Sequence, residues 1–301
     1  MVTNARQAGR AATGLALYTR CAEASTARII GQYSTSFGLA TRLLRADVRA
    51  GVRNIYGLVR IADEIVDGAA AQAGVDPIRQ RGILDALERE TMTALADGYS
   101  ANLVVHAFAA TAHAAGITDP LIAPFFASMR RDLDPAPMGA DEIGDYIYGS
   151  AEVVGLMCLK VFLCRETVTD TRRADLEAGA RHLGAAFQKI NFLRDLATDW
   201  TVLGRNYFPG VNPDALTNSE KDRLLDDIDV DLTAAAAVIP DLPASARSAV
   251  AAARHLFAAL SVRLRHAPAR ALLTTRVSVP TTQKLQIFAG ALRGRMTDAR
   301  R

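Results

Sequence analysis

Apolar residues recur along almost the whole chain at spacings of three and four, which is the period of an α-helix. The commonest residues of the chain are Ala, Leu and Arg, and all three favour helices. No stretch shows the strict apolar–polar alternation of a half-buried strand. Gly-, Pro- and Asp-rich breaks separate segments of roughly 15–30 residues, too long for strands. The pattern therefore predicts an all-α fold of about eight to twelve helices.

The predicted breaks share turn-forming residues and lie at 68–77, 97–101, 116–120, 134–139, 204–213 and 240–243. No linker separates halves of different composition, and no period of 20–50 residues repeats. We therefore predict one domain over residues 1–301, with residues 1–15 as a flexible N-terminal segment.

The formal net charge of +3 is too small to indicate a nucleic-acid partner. The three cysteines form no Cys-x-x-Cys pair, so a reducing cytoplasm is the simplest compartment. The longest apolar run, residues 153–164, is interrupted by Lys160 and is too short to span a bilayer. We expect a soluble cytoplasmic protein, and the sequence does not determine its oligomeric state.

A first row of polar residues lies on a predicted helix over residues 56–67. Tyr56, Arg60, Asp63 and Asp67 fall within about 60° of one another at 100° per residue. Two aspartates four apart repel each other, which costs a helix about 0.2–0.5 kcal/mol. Taken alone, this segment fits an exposed acidic pair and a functional pair about equally. Its other positions are largely apolar, and buried carboxylates need a cation or a hydrogen-bond donor.

A second row lies on a predicted helix over residues 188–199. Gln188, Asn191, Asp195 and Asp199 fall within about 80° of one helix face, and apolar residues again flank them. Two such rows lie more than 100 residues apart, and each has a companion arginine. Core packing does not explain this arrangement.

Oxygen ligands without His or Cys select a hard cation, Mg²⁺ before Zn²⁺. Magnesium is usually shared with substrate phosphates, and Arg60, Arg194 and Arg205 are suitable bidentate phosphate donors. No Gly-rich nucleotide loop is present. The two rows therefore indicate Mg²⁺ and a diphosphate in an apolar bundle, where an allylic carbon–oxygen bond can ionise. Phe37, Tyr56 and Phe192 are candidate cation-stabilising aromatics, although each such residue is more often part of a core.

Five blocks of the chain resemble motifs of the squalene and phytoene synthase family. Residues 33–37 (Tyr-Ser-Thr-Ser-Phe) resemble the family's Ser-x-Ser-Phe opening, and residues 63–67 (Asp-Glu-Ile-Val-Asp) its first aspartate-rich motif. Residues 146–155 resemble the central Tyr-x-x-x-x-Ala-x-x-Val-Gly helix. Residues 183–199, followed by 204–209 (Gly-Arg-Asn-Tyr-Phe-Pro), resemble the second motif and its loop. Residues 183–199 and 204–209 together form a long and highly specific match, and bacterial phytoene synthases of carotenoid biosynthesis are the most similar members.

The resemblance implies a single-domain isoprenoid-synthase helical bundle with the active site in a central cavity. The implied metal ligands are Asp63, Asp67, Asn191, Asp195 and Asp199. The implied substrate-binding residues are Ser36, Phe37, Arg60, Gln188, Asn191, Arg194, Arg205 and Lys284. The implied catalytic residues are Tyr56, Asp63, Asp67, Tyr148, Asp195, Asp199 and Tyr207, with the three tyrosines lining the cavity near the reacting carbons.

The chain also departs from the family pattern. Glu64 stands where Asp is common. Some relatives carry His at the position of Tyr33 and Tyr at that of Leu256, so neither residue is assigned a catalytic role. Residues 293–301 are a polar run without the C-terminal spanning helix of NADPH-using squalene synthases, which favours an enzyme that needs no reductant.

The implied activity is a prenyltransferase reaction, in which two geranylgeranyl diphosphates condense head to head to phytoene through a cyclopropyl diphosphate. The implied cofactor is Mg²⁺, with Mn²⁺ as a substitute and without NADPH. One alternative uses two farnesyl diphosphates and forms dehydrosqualene or squalene. Others are a head-to-tail elongase, which the Asn-x-x-Arg-Asp-x-x-x-Asp motif disfavours, a terpene cyclase on the same fold, and a non-catalytic helical partner protein. Because the product is a hydrocarbon, we also expect transient contact with the inner membrane surface.

Overall fold

The structure is a computed structural model that describes residues 14–134, 136 and 138–293. The side chains of Thr35 and Ser36 also lie outside the described part. The first helix begins at Gly14, so the predicted flexible segment 1–15 is helical at its last two residues. Residues 1–13 lie outside the described residues.

The described residues form thirteen α-helices and no strand, which confirms the predicted all-α fold. Their bounds are α1 Gly14–Tyr33, α2 Thr35–Arg42, α3 Ala46–Val66, α4 Ala69–Gln72, α5 Pro77–Asp97, α6 Leu103–Ala115, α7 Asp119–Arg131, α8 Ala140–Ile147, α9 Val153–Leu163, α10 Asp170–Thr201, α11 Asn218–Val238, α12 Arg247–His266 and α13 Thr281–Leu292. A π-helical turn, Tyr148–Glu152, joins α8 to α9. Thirteen is one more than the predicted maximum of twelve helices, and the additional helix is the four-residue α4.

All six predicted breaks separate helices, but four further breaks were missed, at Ser34 and at residues 43–45, 164–169 and 267–280. Polar capping residues begin the next helix at two of these breaks. The hydroxyl of Ser34 accepts a hydrogen bond from the Phe37 amide at 3.1 Å, and that of Thr169 accepts one from the Arg172 amide at 3.3 Å. Such caps end one helix and start another without a long Gly- or Pro-rich stretch.

The buried residues form two large apolar clusters. One is centred on α3, α6, α7 and α9 and includes Leu58, Phe108 and Phe125. The other is centred on α10, α11 and α12 and includes Ile190 and Leu225. A cavity is lined by residues of both clusters, so the walls of the cavity are also the inner faces of the core.

The π-helical turn lies where the backbones of neighbouring helices approach closely. A Cβ atom at Gly149 would lie 2.2 Å from the Pro124 carbonyl oxygen of α7, and one at Gly184 of α10 would lie 2.7 Å from the Ala151 carbonyl oxygen. Only glycine allows backbones to approach this closely. The Ser128 hydroxyl donates to the Tyr146 carbonyl at 3.1 Å just before the turn. Helices α7 and α10 therefore hold the turn from two sides.

The turn also makes one continuous 24-residue helix of Ala140–Leu163, which is long and apolar enough to cross a membrane by length and composition. The apolar run at 153–164 is therefore only half of a longer helix, because the less apolar residues before it are helical too. This helix packs against α3, α7 and α10. Core helices of this kind pass the same test as membrane spans.

Candidate active site

The cavity between the clusters has a volume of about 830 Å³, near the upper end of the range of about 300–1,000 Å³ for ligand sites. Its charged and amide-bearing lining residues are Arg60, Asp63, Asp67, Asp132, Gln188, Asn191, Arg194, Asp195, Asp199, Arg276 and Lys284. Along α10 the lining extends from Asp195 back to Leu176, roughly 28 Å at 1.5 Å per residue. Beyond the charged residues the walls are apolar, so the cavity has a charged end and a long apolar end.

The first predicted row lies at the charged end. Asp63 is in the last turn of α3, and Asp67 follows the helix, with its amide donating to the Asp63 carbonyl at 2.8 Å. A nitrogen of the Arg60 guanidinium lies 3.9 Å from the Asp63 carboxylate, and Arg60 also pairs closely with Glu64. The Arg60 guanidinium stacks 4.3 Å above the Tyr33 ring. The row therefore forms as predicted, and Glu64 serves to hold Arg60.

The second row faces the first across the cavity. Gln188, Asn191, Arg194, Asp195 and Asp199 all line it from α10. The amide oxygen of Asn191 is buried and has no hydrogen-bond partner. An unsatisfied buried acceptor costs about 1–3 kcal/mol. This oxygen is therefore suited to a bound cation or ligand donor.

Asp195 is held differently from the other carboxylates, because two arginines contact it. Arg194 pairs with it closely, and the Nε of Arg276, in the loop before α13, lies 2.7 Å from its Oδ1. Burial alone would raise the pKa of Asp195, but these arginines outweigh burial and hold that pKa below its usual range. Asp195 therefore carries a negative charge at neutral pH.

Burial raises the pKa of Asp63 to about 8; Arg60 lowers it, whereas Asp67, Asp132 and Glu64 raise it further. Burial likewise raises the pKa of Asp199 to about 7, with Asp195 and Asp67 adding to the effect. The raised pKa values of Asp63 and Asp199 mean that negative charges lie close together at this end of the cavity. A bound cation would reverse both shifts.

A divalent metal fits these residues, although the described part of the chain holds no preformed metal cage. Among the described residues, no group of three or more His, Cys, Asp or Glu is arranged to hold a metal ion. Arginines instead hold the carboxylates apart, as where Arg205 lies 2.6 Å from Asp67. Oxygen donors, an orphaned Asn191 oxygen and raised pKa values suit a hard cation that is shared with a phosphate. The predicted metal ligands therefore remain candidates.

A cluster of hydrogen bonds around the buried carboxylate of Asp132 was not predicted from the sequence. Asp132, just after α7, accepts hydrogen bonds on Oδ1 from the hydroxyls of Tyr146 at 2.7 Å and Tyr207 at 3.2 Å. Its backbone carbonyl accepts one from Arg205 at 2.5 Å. Burial and the charge of Asp67 raise the pKa of Asp132 to about 7, against the pull of Arg205 and the tyrosines. Arg205 lies behind this cluster and is not part of the cavity lining.

The prediction that Tyr148 lines the cavity is wrong. Its ring packs against the first apolar cluster and beneath the Arg181 guanidinium, at 5.3 Å, and it is not part of the cavity lining. Tyr146 lines the cavity instead. Two residues apart on a helix point about 200° apart, so only one of the pair can face inward. The predictions for Tyr56 and Tyr207 are confirmed in position, since both line the cavity.

Aromatic rings form part of the wall between the charged and apolar ends. The Phe37 ring lies 6.5 Å from that of Tyr56 and 6.0 Å from that of Phe257. Phe187 stacks on Phe257 at 3.7 Å. These faces carry the negative side of the aromatic quadrupole, which attracts a cation. Burial raises the pKa of Tyr56, so its phenol stays neutral.

The remaining predicted residues have mixed outcomes. Phe37 and Lys284 line the cavity, whereas the side chain of Ser36 lies outside the described residues. Sequence reasoning missed Asp132, Tyr146 and Arg276. Tyr146 stands in the same motif block as Tyr148 and was available as the alternative. Asp132 and Arg276 have no partner at helical spacing that would have revealed them.

Opposed carboxylates and arginines at one end of an aromatic-walled apolar cavity define an all-α enzyme site for a phosphorylated substrate with a long apolar tail. The family description squalene/phytoene synthase matches residues 30–283. The chain belongs to this family, and it is a prenyltransferase of the head-to-head type. The hypothesis of a non-catalytic partner protein is therefore set aside.

Named relatives agree with this assignment. The chain is 26% identical over 252 residues to a 15-cis-phytoene synthase of Paracoccus sp., covering 78% of this chain and 80% of the relative. It is 27% identical over 279 residues to a 15-cis-phytoene synthase of Pantoea ananas, covering 86% of this chain and 87% of the relative.

Solved structures show the same fold. A dehydrosqualene synthase in complex with a ligand superposes with a TM-score of 0.72 at 23% identity, over 92% of this chain and 98% of that one. A squalene synthase from Alicyclobacillus acidocaldarius superposes with a TM-score of 0.69 at 18% identity, over 83% of this chain and 95% of that one. The predicted isoprenoid-synthase fold is confirmed.

Proposed function

We propose that this protein condenses two geranylgeranyl diphosphates head to head to phytoene, with Mg²⁺ and without a reductant. The observation that carries the proposal is a cavity with a charged end and an apolar end, whose lining extends roughly 28 Å along α10 from Asp195 to Leu176. The bacterial relatives named as 15-cis-phytoene synthases support this choice of substrate.

The charged end would bind and orient the diphosphates. Arg60, Arg194 and Arg276 present guanidinium groups to the cavity, and Lys284 adds a flexible ammonium from α13. Asp63, Asp67, Asn191, Asp195 and Asp199 would hold Mg²⁺, which when bound stabilises the negative charge of a departing diphosphate. We propose these roles on the positions of the residues.

The apolar end would exclude water and hold the hydrocarbon tails. In the first half-reaction, the C1–O bond of one substrate breaks and diphosphate leaves. C1 then bonds to the double bond of the second substrate, and loss of a proton closes the cyclopropane. In the second half, the remaining diphosphate leaves, the cation rearranges, and loss of a proton forms the central double bond. The rings of Phe37 and Tyr56 would stabilise the cations.

The alternative is condensation of two farnesyl diphosphates to dehydrosqualene or squalene. The superposition on a dehydrosqualene synthase favours it, but at 23% identity this likeness identifies only the fold. Both reactions need the same charged end, so the depth of the apolar end distinguishes them.

The purified protein is incubated with geranylgeranyl diphosphate and Mg²⁺, without NADPH, and the extracted lipid is analysed by mass spectrometry. We expect a C40 hydrocarbon that is lost on adding a chelator and is restored by Mg²⁺ or Mn²⁺. A C30 hydrocarbon formed only from farnesyl diphosphate would move the substrate to the shorter chain. No hydrocarbon from either substrate would contradict the proposal.

We also propose a cytoplasmic location with transient contact at the inner membrane surface, because the product is an insoluble hydrocarbon. Sedimentation with liposomes, with and without the product dissolved in them, tests this contact. Protein that stays in the supernatant in both cases would contradict it.

A further inference from the structure

A buried carboxylate outside both predicted rows links three parts of the cavity wall. The Asp132 side chain is 3% exposed and follows the last residue of α7. Its Oδ1 accepts from Tyr146 of α8 and from Tyr207 in the loop after α10. One oxygen atom therefore receives two phenol protons from two different segments.

The two phenols form part of a stacked aromatic group in the cavity. The Tyr146 and Tyr207 rings are stacked with centroids 5.3 Å apart, and the Tyr207 ring stacks on that of Phe192 at 4.2 Å. All three residues line the cavity. Stacking holds the planes of the rings, but it leaves each hydroxyl proton free to rotate, so the direction of the protons depends on Asp132.

Arg205 and the two phenol hydrogen bonds favour the ionised form of Asp132 against burial. In that form the carboxylate can only accept hydrogen bonds, so both hydroxyls direct their protons towards Asp132. The Tyr146 oxygen then keeps its lone pairs for the cavity, whereas the Tyr207 oxygen also accepts from Arg205 at 3.5 Å and keeps one lone pair free. In a site closed to water, such an oriented dipole stabilises positive charge without reorganising during the reaction. A hydroxyl with a free proton would instead be able to donate to the diphosphate.

We propose that Asp132 is a positioning residue, which fixes the hydroxyl protons of Tyr146 and Tyr207 so that both phenol oxygens present lone pairs to the carbocations. The inference rests on the proposed function, because the oriented lone pairs assist the reaction only if carbocations form in the cavity. Asp132 acts through the tyrosines, whose hydroxyls both donate to its Oδ1.

A competing role follows from Arg205, which lies 3.8 Å from the Asp132 carboxylate and 2.6 Å from Asp67. Removing the charge of Asp132 would alter the pairing of Arg205 and, through it, the first acidic row. An effect through Asp67 would raise the Mg²⁺ concentration needed for half-maximal activity. An effect through the tyrosines would leave this concentration unchanged, so the two routes are separable.

The test is a mutant cycle that combines Asp132→Asn with the pair Tyr146→Phe and Tyr207→Phe, measured on the prenyl diphosphate that the wild type consumes. We expect Asp132→Asn to lower kcat about tenfold to hundredfold, which corresponds to the free energy of a hydrogen bond to a charged group. We expect KM to change less than about threefold, because the affected interaction is made in the transition state. In the background with both Phe substitutions, Asp132→Asn should cost less than about threefold more.

Asp134→Asn is the matched control, since Asp134 is an exposed acid two residues away and should leave kcat unchanged. Thermal unfolding checks that each variant folds, and Asp132→Glu replaces Asp132→Asn in the cycle if the latter does not. Additive losses in the cycle, or a raised Mg²⁺ requirement, would overturn the positioning role while leaving the proposed function intact. A wild type that consumes no prenyl diphosphate would overturn both.

Discussion

At the scale of single residues, the carboxylates of the two rows differ in how they are neutralised. Asp195 has two arginine partners, whereas the nearest arginine nitrogen to Asp63 is 3.9 Å away and the charges of Asp67 and Asp132 oppose its ionisation. Asp63 and Asp195 are therefore suited to exchanging their arginine partners for a cation, while the arginines bind a diphosphate. The rows thus have a chemical purpose that core packing does not supply.

We predict that Asp63→Asn and Asp195→Asn each lower kcat by about 100-fold or more, since metal assistance is worth several kcal/mol in the transition state. Both variants should also need more Mg²⁺ for half-maximal activity, which a Mg²⁺ titration of the rate measures. Asp227→Asn is the control, because Asp227 is 65% exposed and pairs with Lys189 away from the cavity. Unchanged rates and Mg²⁺ requirements in both row variants would contradict the metal assignment.

A second prediction concerns His106, which is buried in α6. Its Nδ1 accepts from the Ser100 amide at 3.4 Å, and its Nε2 lies 2.9 Å from the Thr19 hydroxyl. Burial lowers the pKa of His106, so the unfolded chain binds its proton more readily than the folded protein. Stability is therefore complete above the unfolded pKa of about 6.5 and falls as the pH drops towards the lowered pKa.

Chemical unfolding at pH 7.5 and pH 5 would measure this loss. We expect the free energy of unfolding to fall less in His106→Gln than in the wild type, by about 1.4 kcal/mol for each unit of pKa depression. His113→Gln, at an exposed site seven residues later, should behave as the wild type does. An identical pH dependence in all three proteins would refute a role for His106.

At the scale of elements, the π-helical turn decides which face of the α8–α9 helix meets the cavity. Gly149 allows α7 to approach, and the Ser128 hydroxyl satisfies the Tyr146 carbonyl. Tyr146 and Ser150 then line the cavity, while Tyr148 points away. A π turn of this kind is often found at a functional site.

We predict that Gly149→Ala destabilises the protein by about 1–3 kcal/mol, because the added methyl group would overlap the Pro124 carbonyl and force a backbone shift. Gly144→Ala is the matched control, since nothing lies within 4 Å of its Cβ and α8 should gain about 0.5–1 kcal/mol. Urea unfolding of both variants measures the difference. Equal midpoints would show that the contact at the turn is not tight.

At the scale of the whole molecule, the apolar end of the cavity sets the length of substrate that fits. The Arg45 amide donates to the Ser245 carbonyl at 3.0 Å, so the starts of α3 and α12 meet at the end opposite Asp63. Ala249 lines the cavity there and is 4% exposed. A larger side chain at this position would shorten the space for a prenyl tail.

We predict that Ala249→Leu lowers the ratio of kcat/KM for geranylgeranyl diphosphate over farnesyl diphosphate by about tenfold, because misfit in an apolar pocket is worth about 1–3 kcal/mol. Competition between the two substrates, with the products analysed by mass spectrometry, measures this ratio. Ala237→Leu on the exposed side of α11 should leave it unchanged. A ratio that does not move in Ala249→Leu would place the end of the tail elsewhere.

The sequence by itself determined the helical class, the two acidic rows and the family, because these depend on periodicity and short motifs. A helix places residues three and four apart on one face whatever surrounds it, so Asp63 and Asp67, or Asn191 and Asp195, were predictable as pairs. The capped breaks at Ser34 and Thr169 were missed because one hydroxyl carries the signal, and a lone Ser or Thr is common elsewhere.

Only the tertiary structure decided the rest. Asp132 meets Tyr207 from 75 positions away, and Arg276 meets Asp195 from 81 positions away. No local pattern records such contacts, since they arise where separate helices pack. The choice of Tyr146 over Tyr148 and the depth of the apolar end likewise depend on how α7, α10 and α12 close around the cavity. Packing between distant segments therefore completed a site whose two rows the helical period had already placed.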